Sequence, residues 1–286
     1  MTERFAEHRT RLRAVAYRML GSFSEADDAV QEAWLRVSRA ETSSVENPAG
    51  WLTTVVARVC LNMLRTRRAL REEPLEVHVP DPVVSGQDGN DPEQEALLAD
   101  SVGLALMVVL DTLTPAERLA FVLHDTFGVP FDDIAPMIDR SPAAARQLAS
   151  RARRRVRGAA PAPDPDLARQ REVVDAYFAA VRNGDFDALV TVLHPDVVLR
   201  SDGGTALASQ TVVLRGAQEV AARAVMAREL APFVRPVLIN GTAGAVATAH
   251  GRVFTVMAFT VTQGKIVAVE VLSDPDRLAN LGLPAD

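Results

Sequence analysis

The sequence predicts a multidomain chain, with two all-α modules followed by an α+β domain built on an antiparallel sheet. Three observations carry this. Apolar residues recur at three- and four-residue spacing through residues 3–70 and again from about residue 93 to residue 158, which is the helical period. After residue 168 one more amphipathic helix gives way to short β-type runs punctuated by turn dipeptides. Two Pro-rich stretches, 72–92 and 159–167, separate the parts. The chain has 286 residues, 48% apolar and 24% charged, which excludes wholesale disorder. At roughly 100–200 residues per domain it is long enough for two or three.

The elements follow in order. Arg11–Leu20 reads as a short amphipathic helix broken by Gly21. Ser24 with Asp27 has capping-box spacing for a second helix running to about Arg39, with Ala26, Ala29, Val30, Ala33, Trp34 and Val37 as its buried stripe. Pro48 suits the first turn of a third helix, with Leu52, Val55, Val56, Val59 and Met63 facing inward. Helices resume near Glu93. Thr114-Pro115-Ala116-Glu117 is a strong helix start, and Ser141-Pro142 repeats the cap-then-proline device. The stretch 159–167 reads as a semi-extended linker. Beyond it, a helix through Val173, Tyr177 and Val181 stops at Asn183-Gly184. Strands are predicted at 197–199, 234–239, 246–248, 253–261 and 266–272, with turns at Asn240-Gly241 and Gln263-Gly264.

Function classes narrow by exclusion. The longest apolar run, 102–110, has nine residues, against about 20 for a membrane span. The charged N-terminus lacks a signal-peptide core, and Cys60 has no intramolecular disulfide partner; both predict a chain of the reducing cytoplasm. Five scattered histidines show no metal-ligand spacing, so no metal or cofactor is expected. The net charge of −6 argues against a free nucleic-acid binder, yet the average hides segregation. Residues 54–71 hold five Arg and no acid, residues 72–100 hold nine acids and no base, and residues 140–157 hold seven Arg and no acid.

The third of these blocks lies in a helix-turn-helix pattern. A short helix, 131–138, precedes an Asp139-Arg140 turn and a longer helix, 142–157. The second helix of such a unit enters the DNA major groove with its N-terminal residues at base edges, where Ala143, Arg146, Gln147 and Ser150 fall. Arg151, Arg153, Arg154, Arg155 and Arg157 suit phosphates. A solvated basic helix end would carry the same charge; the preceding helix and turn favour DNA. In the first block Arg58, Asn62 and Arg65 share a face away from the core, with Trp51 at the helix start, a combination that suits single-stranded nucleic acid or an ordinary solvated surface. On the second helix Asp28, Gln31 and Glu32 surround Leu35, which reads as a docking patch or as a solvated face.

With those residues in view, the chain resembles a known family. EADDAVQEAWLR at 25–36 and NPAGWLTTVVAR at 47–58 resemble region 2 of extracytoplasmic-function (ECF) sigma factors, and residues 96–157 resemble their region 4. The C-terminal part resembles the SnoaL-like domain of the SigJ-like group. That resemblance implies a region 2 helical bundle (1–71), an acidic linker (72–92), a region 4 helix-turn-helix (93–158), a Pro-rich linker (159–167) and an α+β SnoaL-like cone with an antiparallel sheet (168–286). It implies RNA polymerase core, through its β′ and β subunits, and promoter DNA as partners. Asp28, Gln31, Glu32 and Leu35 would dock on the β′ coiled coil. The loop 43–50 with Arg58, Asn62 and Arg65 would recognise and melt the minus-ten element, and helix 142–157 would read the minus-thirty-five element. The linker carboxylates would thread a basic polymerase channel. Three motifs of the SigJ-like group have counterparts in His78-Val79-Pro80-Asp81-Pro82, Asp202-Gly203-Gly204 and Asp274-Pro275-Asp276-Arg277, which would join linker and C-terminal domain in a regulatory contact. Two residues depart from the region 4 pattern: Pro136 inside the first helix, which would kink it, and Asp139 at the turn glycine, in a left-handed conformation that Asp tolerates.

Some SnoaL-like relatives perform acid–base chemistry in their cone-shaped cavity, and a cavity of that kind leaves room for a small-molecule ligand. His194, Asp196, Asp202 and His250 are the titratable candidates, but the two His positions also read as turns. The reading is therefore a sigma factor regulated by its own C-terminal domain, not an enzyme. The alternatives are a cyclase- or isomerase-type sensing module fused to a DNA-binding regulator, and a stand-alone helix-turn-helix regulator.

Overall fold

The computed structural model describes residues 2–39, 47–70, 77–86, 103–159, 162–281 and 283. They form two compact units. The first holds the described residues up to 70 and residues 109–159; the second holds 77–86, 103–108 and the described residues from 162 onward. The expected helix start near Glu93, the loop residues 43–46 and most of the acidic stretch lie outside the described residues.

In the first unit α1 (Thr2–Leu20), α2 (Phe23–Ser38) and α3 (Pro48–Leu70) pack pairwise. α1 is longer than the predicted 11–20, because its leading turns carry few apolar residues; Phe5 is nevertheless buried, 5.1 Å from the Trp34 ring. The capping expectation is corrected too. α2 begins at Phe23, whose ring stacks on Tyr17 at 4.6 Å, so Ser22 holds the cap position and makes no side-chain cap bond. Asp27 instead pairs with Arg13 (2.7 Å). The predicted stripe of α2 is buried apart from the half-buried Trp34. Cys60 is buried on α3, and burial pushes its thiol up to about 12.

α4 (Leu104–Asp111) is apolar along its length, and the boundary between the units falls within it. α5 (Pro115–Phe121) opens with the predicted capping box: Thr114 Oγ1 accepts from Glu117 N–H, and Glu117 accepts from Thr114 N–H. Arg118 on α5 is buried. It pairs with the buried Asp111 and donates to Arg18 O at 3.2 and 3.1 Å, tying α5 to the end of α1. α6 covers only Phe131–Ile134. The predicted helix to residue 138 breaks into a 3₁₀ turn, Ala135–Met137, where Pro136 lacks the N–H an α-helix needs. Asp139 takes φ +54°, and α7 (Pro142–Ala159) follows with Ser141 Oγ accepting from Ala144 N–H (3.3 Å).

The second unit is a seven-stranded sheet ordered β1-β4-β5-β6-β7-β2-β3, and helices between residues 167 and 226 share its hydrophobic core. α8 (Leu167–Asn183) ends at Gly184 in the left-handed region, as the Asn-Gly pair predicts. α9 (Phe186–Val192), β2 (Leu193–Asp202), β3 (Val212–Arg215), α10 (Ala217–Met226), β4 (Val234–Ile239), β5 (Thr242–Ala249), β6 (Arg252–Thr262), β7 (Lys265–Leu272) and α11 (Pro275–Asn280) complete it. Tyr177, Phe178 and Phe259 meet edge-on within 5.3–5.6 Å at the centre of its core. The antiparallel expectation holds for five of the six strand pairs; β2 lies parallel to β7, across the α10–β6 crossover. Both predicted hairpin turns form with positive φ at both residues: Asn240 and Gly241, Gln263 and Gly264.

Neither Pro-rich stretch is free along its described part. Asp164 accepts from Gln263 N–H (2.9 Å) and Gly264 N–H (3.0 Å), which holds residues 162–166 on the β6–β7 turn and its own carboxyl below the usual range. The other stretch contributes the edge strand β1 (Val84–Ser85), paired with β4.

Candidate nucleic-acid interface and linker clamp

On α7 the apolar side is Ala145, Ala149 and Ala152, buried, with Leu148 and Val156 half-buried. The methyl-sized side chains of Ala145, Ala149 and Ala152 let the helix lie close against α5 and α6. Ala143, Arg146, Gln147 and Ser150 are all exposed on the leading surface, as are Arg151 and Arg154 further along. The Arg146 guanidinium lies 5.3 Å from the Phe131 ring centroid, which limits its orientations. Two of the expected phosphate ligands also make ion pairs within the fold: Arg153 with Asp125 (2.7 Å) and Arg155 with Glu117 (3.2 Å).

On α3 Arg58, Asn62 and Arg65 are exposed on one face, and Trp51 is half-buried beside them. Arg58 Nη2 reaches Pro136 O at 3.4 Å. Arg67 of the same basic block binds Glu25 and donates to Leu20 O (3.1 Å), so it braces the bundle. On α2 Asp28, Gln31, Glu32 and Leu35 form one exposed surface. Leu35 is 42% exposed, with Glu32 paired to Arg36 (3.0 Å) beside it.

The three short motifs converge in the second unit. Asp274 caps α11, its Oδ1 accepting from the N–H of Asp276 (3.0 Å) and Arg277 (3.3 Å). The Arg277 side chain thereby faces the linker. It donates through Nε to Asp81 Oδ1 (2.9 Å), through Nη1 to Asp202 Oδ2 (2.9 Å) and through Nη2 to Val79 O (2.6 Å). Asp202 Oδ2 also accepts from Val79 N–H (3.1 Å) and lies 3.5 Å from His78 Nδ1. Burial would raise this carboxyl, but His78, the Val79 N–H, Arg277 and the Gly204 N–H together outweigh it and hold it at about 2. The glycines are needed for space. A Cβ at Gly203 would meet Leu207 O at 2.4 Å, and Gly204, at φ +60°, lies against the Asp274 carboxylate. Pro80, Asp81, Pro82 and Val83 are buried, and Asn240 closes the far end by accepting from Val83 N–H (3.0 Å) and donating to Val83 O (2.8 Å).

The acid–base candidates do not share a centre. His194 Nδ1 accepts from Asp196 N–H (3.1 Å) in a local turn, His250 takes φ +50° at the β5–β6 turn, and Asp202 belongs to the clamp. Among the described residues no group of His, Cys, Asp and Glu could hold a metal, and no helix is long and apolar enough to cross a membrane. Asn240 was missed as a clamp residue, although the Asn240-Gly241 turn marked its position.

A helix-turn-helix with an exposed, arginine-bearing second helix, a separate basic helical face and an acidic linker clamped to an α+β domain define a class. The chain matches the family models for Sigma-70 region 2 over residues 4–70 and Sigma-70 region 4 over residues 103–156, and it belongs to the ECF RNA polymerase sigma factors. It directs promoter-specific transcription initiation. Among its relatives, ECF RNA polymerase sigma factor SigJ of Mycobacterium tuberculosis (strain ATCC 25618 / H37Rv) is 38% identical, over 96% of this chain and 91% of that protein. The probable ECF sigma factor SigI of the same strain is 35% identical, over 95% and 92%. The crystal structure of M. tuberculosis SigJ superposes with a TM-score of 0.75 at 36% identity, covering 98% of each chain.

Proposed function

We propose that the C-terminal domain restrains this sigma factor by holding its linker. α7 would read the minus-thirty-five element through Arg146, Gln147, Ala143 and Ser150, with Arg151 and Arg154 on phosphates. Arg58, Asn62 and Arg65 would engage the melted minus-ten strand, and Asp28, Gln31, Glu32 and Leu35 the β′ subunit of the polymerase core. Net acidity suits a subunit that reaches promoters only after joining polymerase. One observation carries the regulatory part: the single Arg277 guanidinium binds two linker groups and the Asp202 carboxylate at once. While that contact holds, Asp81 and Val79 are committed to the C-terminal domain and are withheld from the basic channel of polymerase.

Run-off transcription with purified core polymerase tests this. Full-length Arg277→Ala protein should initiate more than the wild type, and deletion of residues 168–286 should alter output from the same promoter. Equal output from all three proteins would end the regulatory claim and leave the sigma assignment intact.

A further inference from the structure

A cavity of about 760 Å³ opens beside α11, and the clamp described above does not use it. Its walls are mainly apolar, with Leu207, Leu230, Phe254 and Leu278 prominent. At its rim the exposed Arg252 guanidinium has no ion-pair partner among the described residues. At its base Thr255 Oγ1 and Ser273 Oγ lie 3.0 Å apart. The volume is that of a drug-sized ligand site, and the lining is the usual mixture of apolar wall and few polar groups.

This cavity shares its walls with the clamp. Ser273 donates its N–H to Asp202 O (2.8 Å), so the base of the cavity is bonded to the clamped aspartate. Leu207 donates to Gly203 O (3.1 Å), and its own carbonyl lies where a Cβ at residue 203 would sit. Pro275 and Ala279 line the cavity from the same short helix that carries Arg277, about 200° around the axis from it. The cavity is therefore complete only while α11 is seated, and α11 is seated in the state where Arg277 holds the linker.

We propose that this cavity binds an amphipathic small molecule, with an apolar body against Leu207, Leu230, Phe254 and Leu278 and one anionic end at Arg252, and that its occupancy tightens the linker clamp. The proposal rests on the clamp reading above. A ligand shifts an equilibrium only by its differential affinity for the two states; here the clamped state owns the complete site, so binding must favour it. By reciprocity, breaking the clamp must weaken binding by the same factor.

The probe is 8-anilinonaphthalene-1-sulfonate, an aromatic body with one anionic group, titrated by fluorescence into the full-length protein. Hydrogen exchange at the Val79 and Val83 amides serves as the second readout. Wild type should bind with a single dominant site, and saturating probe should slow exchange at both amides. Ala279→Trp, which fills the cavity, should abolish that site, and the exposed Arg252→Ala should weaken it roughly tenfold as a charge-assisted contact is lost. Arg277→Ala should weaken it by about 5-fold or more, the lower end of ordinary coupling. Unchanged binding in both Ala279→Trp and Arg252→Ala would refute the site. Binding that survives Arg277→Ala unaltered would refute the coupling. If Val79 and Val83 exchange rapidly in the probe-free wild type and Arg277→Ala changes nothing, the clamp reading itself has failed, whatever the binding result.

Discussion

Arg277 is a side chain of ordinary exposed type turned to a buried use. Its guanidinium is 21% exposed, and it faces two carboxylates that are 9% and 10% exposed. Truncation to Ala removes the guanidinium from both acids. The expected loss is about 2–3 kcal/mol in urea unfolding of the second unit, below the roughly 3–5 of a fully buried pair because part of the charge already meets water. Asp202 makes the same clamp sensitive to acid. Its folded pKa of about 2 lies below the ordinary 3.8, so its contribution is fully present above about pH 4 and is lost as pH falls towards 2. Glu270 has the opposite sign. It is buried on β7, its oxygens make no hydrogen bond among the described residues, Arg200 lies 3.6 Å away, and burial raises its pKa from 4.5 to about 7. Its stabilising neutral form is present below about pH 4.5 and is lost as pH rises through 7. Glu270→Gln should therefore have little effect at pH 4 and raise stability at pH 8 by up to about 3 kcal/mol, measured as the change in urea midpoint between the two pH values.

At the scale of elements, α7 and β1 make contrasting predictions. α7 presents two kinds of exposed residue, and they should separate by salt. Arg146→Ala or Gln147→Ala should cost about 1–3 kcal/mol at one base position and relax the preference there. Arg154→Ala should weaken promoter binding of the polymerase complex on every sequence and reduce the salt slope by about one. Competition binding at several salt concentrations distinguishes the two behaviours. β1 is an edge strand of two residues, and the Asn240 side chain anchors the residue before it. Asn240→Gly keeps the left-handed turn but removes the Oδ1 acceptor from Val83 N–H, so exchange at Val83 should quicken by roughly fivefold or more, equivalent to about 1 kcal/mol, while the β4–β5 hairpin remains. Sequence patterning found most of these elements, because a 3.6- or 2-residue period survives in a single strand of text. It missed the short β3, α9 and α11, and also α10, whose buried stripe Ala217, Val220, Ala221 and Ala224 has helical spacing but is mostly alanine, and it took 84–85 for linker, since a two-residue edge strand leaves no periodic trace.

For the molecule as a whole, the order of two helical modules, an acidic connector and an α+β domain was legible in the residues. Charge segregation along 54–71, 72–100 and 140–157 is legible in the order of the residues, and so is the helix-turn-helix with its proline break and left-handed Asp139. The exposed faces of α2, α3 and α7 were also legible, since a residue off the apolar stripe of a helix is turned to solvent by geometry. What tertiary structure decided is which charges are spent internally. Arg67, Arg118, Arg153 and Arg155 read in the sequence like their exposed neighbours, yet each binds a carboxylate of the fold. The clamp is the clearest case: Val79, Asp81, Asp202 and Arg277 are separated by up to 198 residues, and short motifs could suggest their partnership without assigning a donor to an acceptor. Local periodicity is written into neighbouring residues, whereas pairing across such distances is set by how the sheet and α11 close on the linker, which no stretch of sequence states by itself.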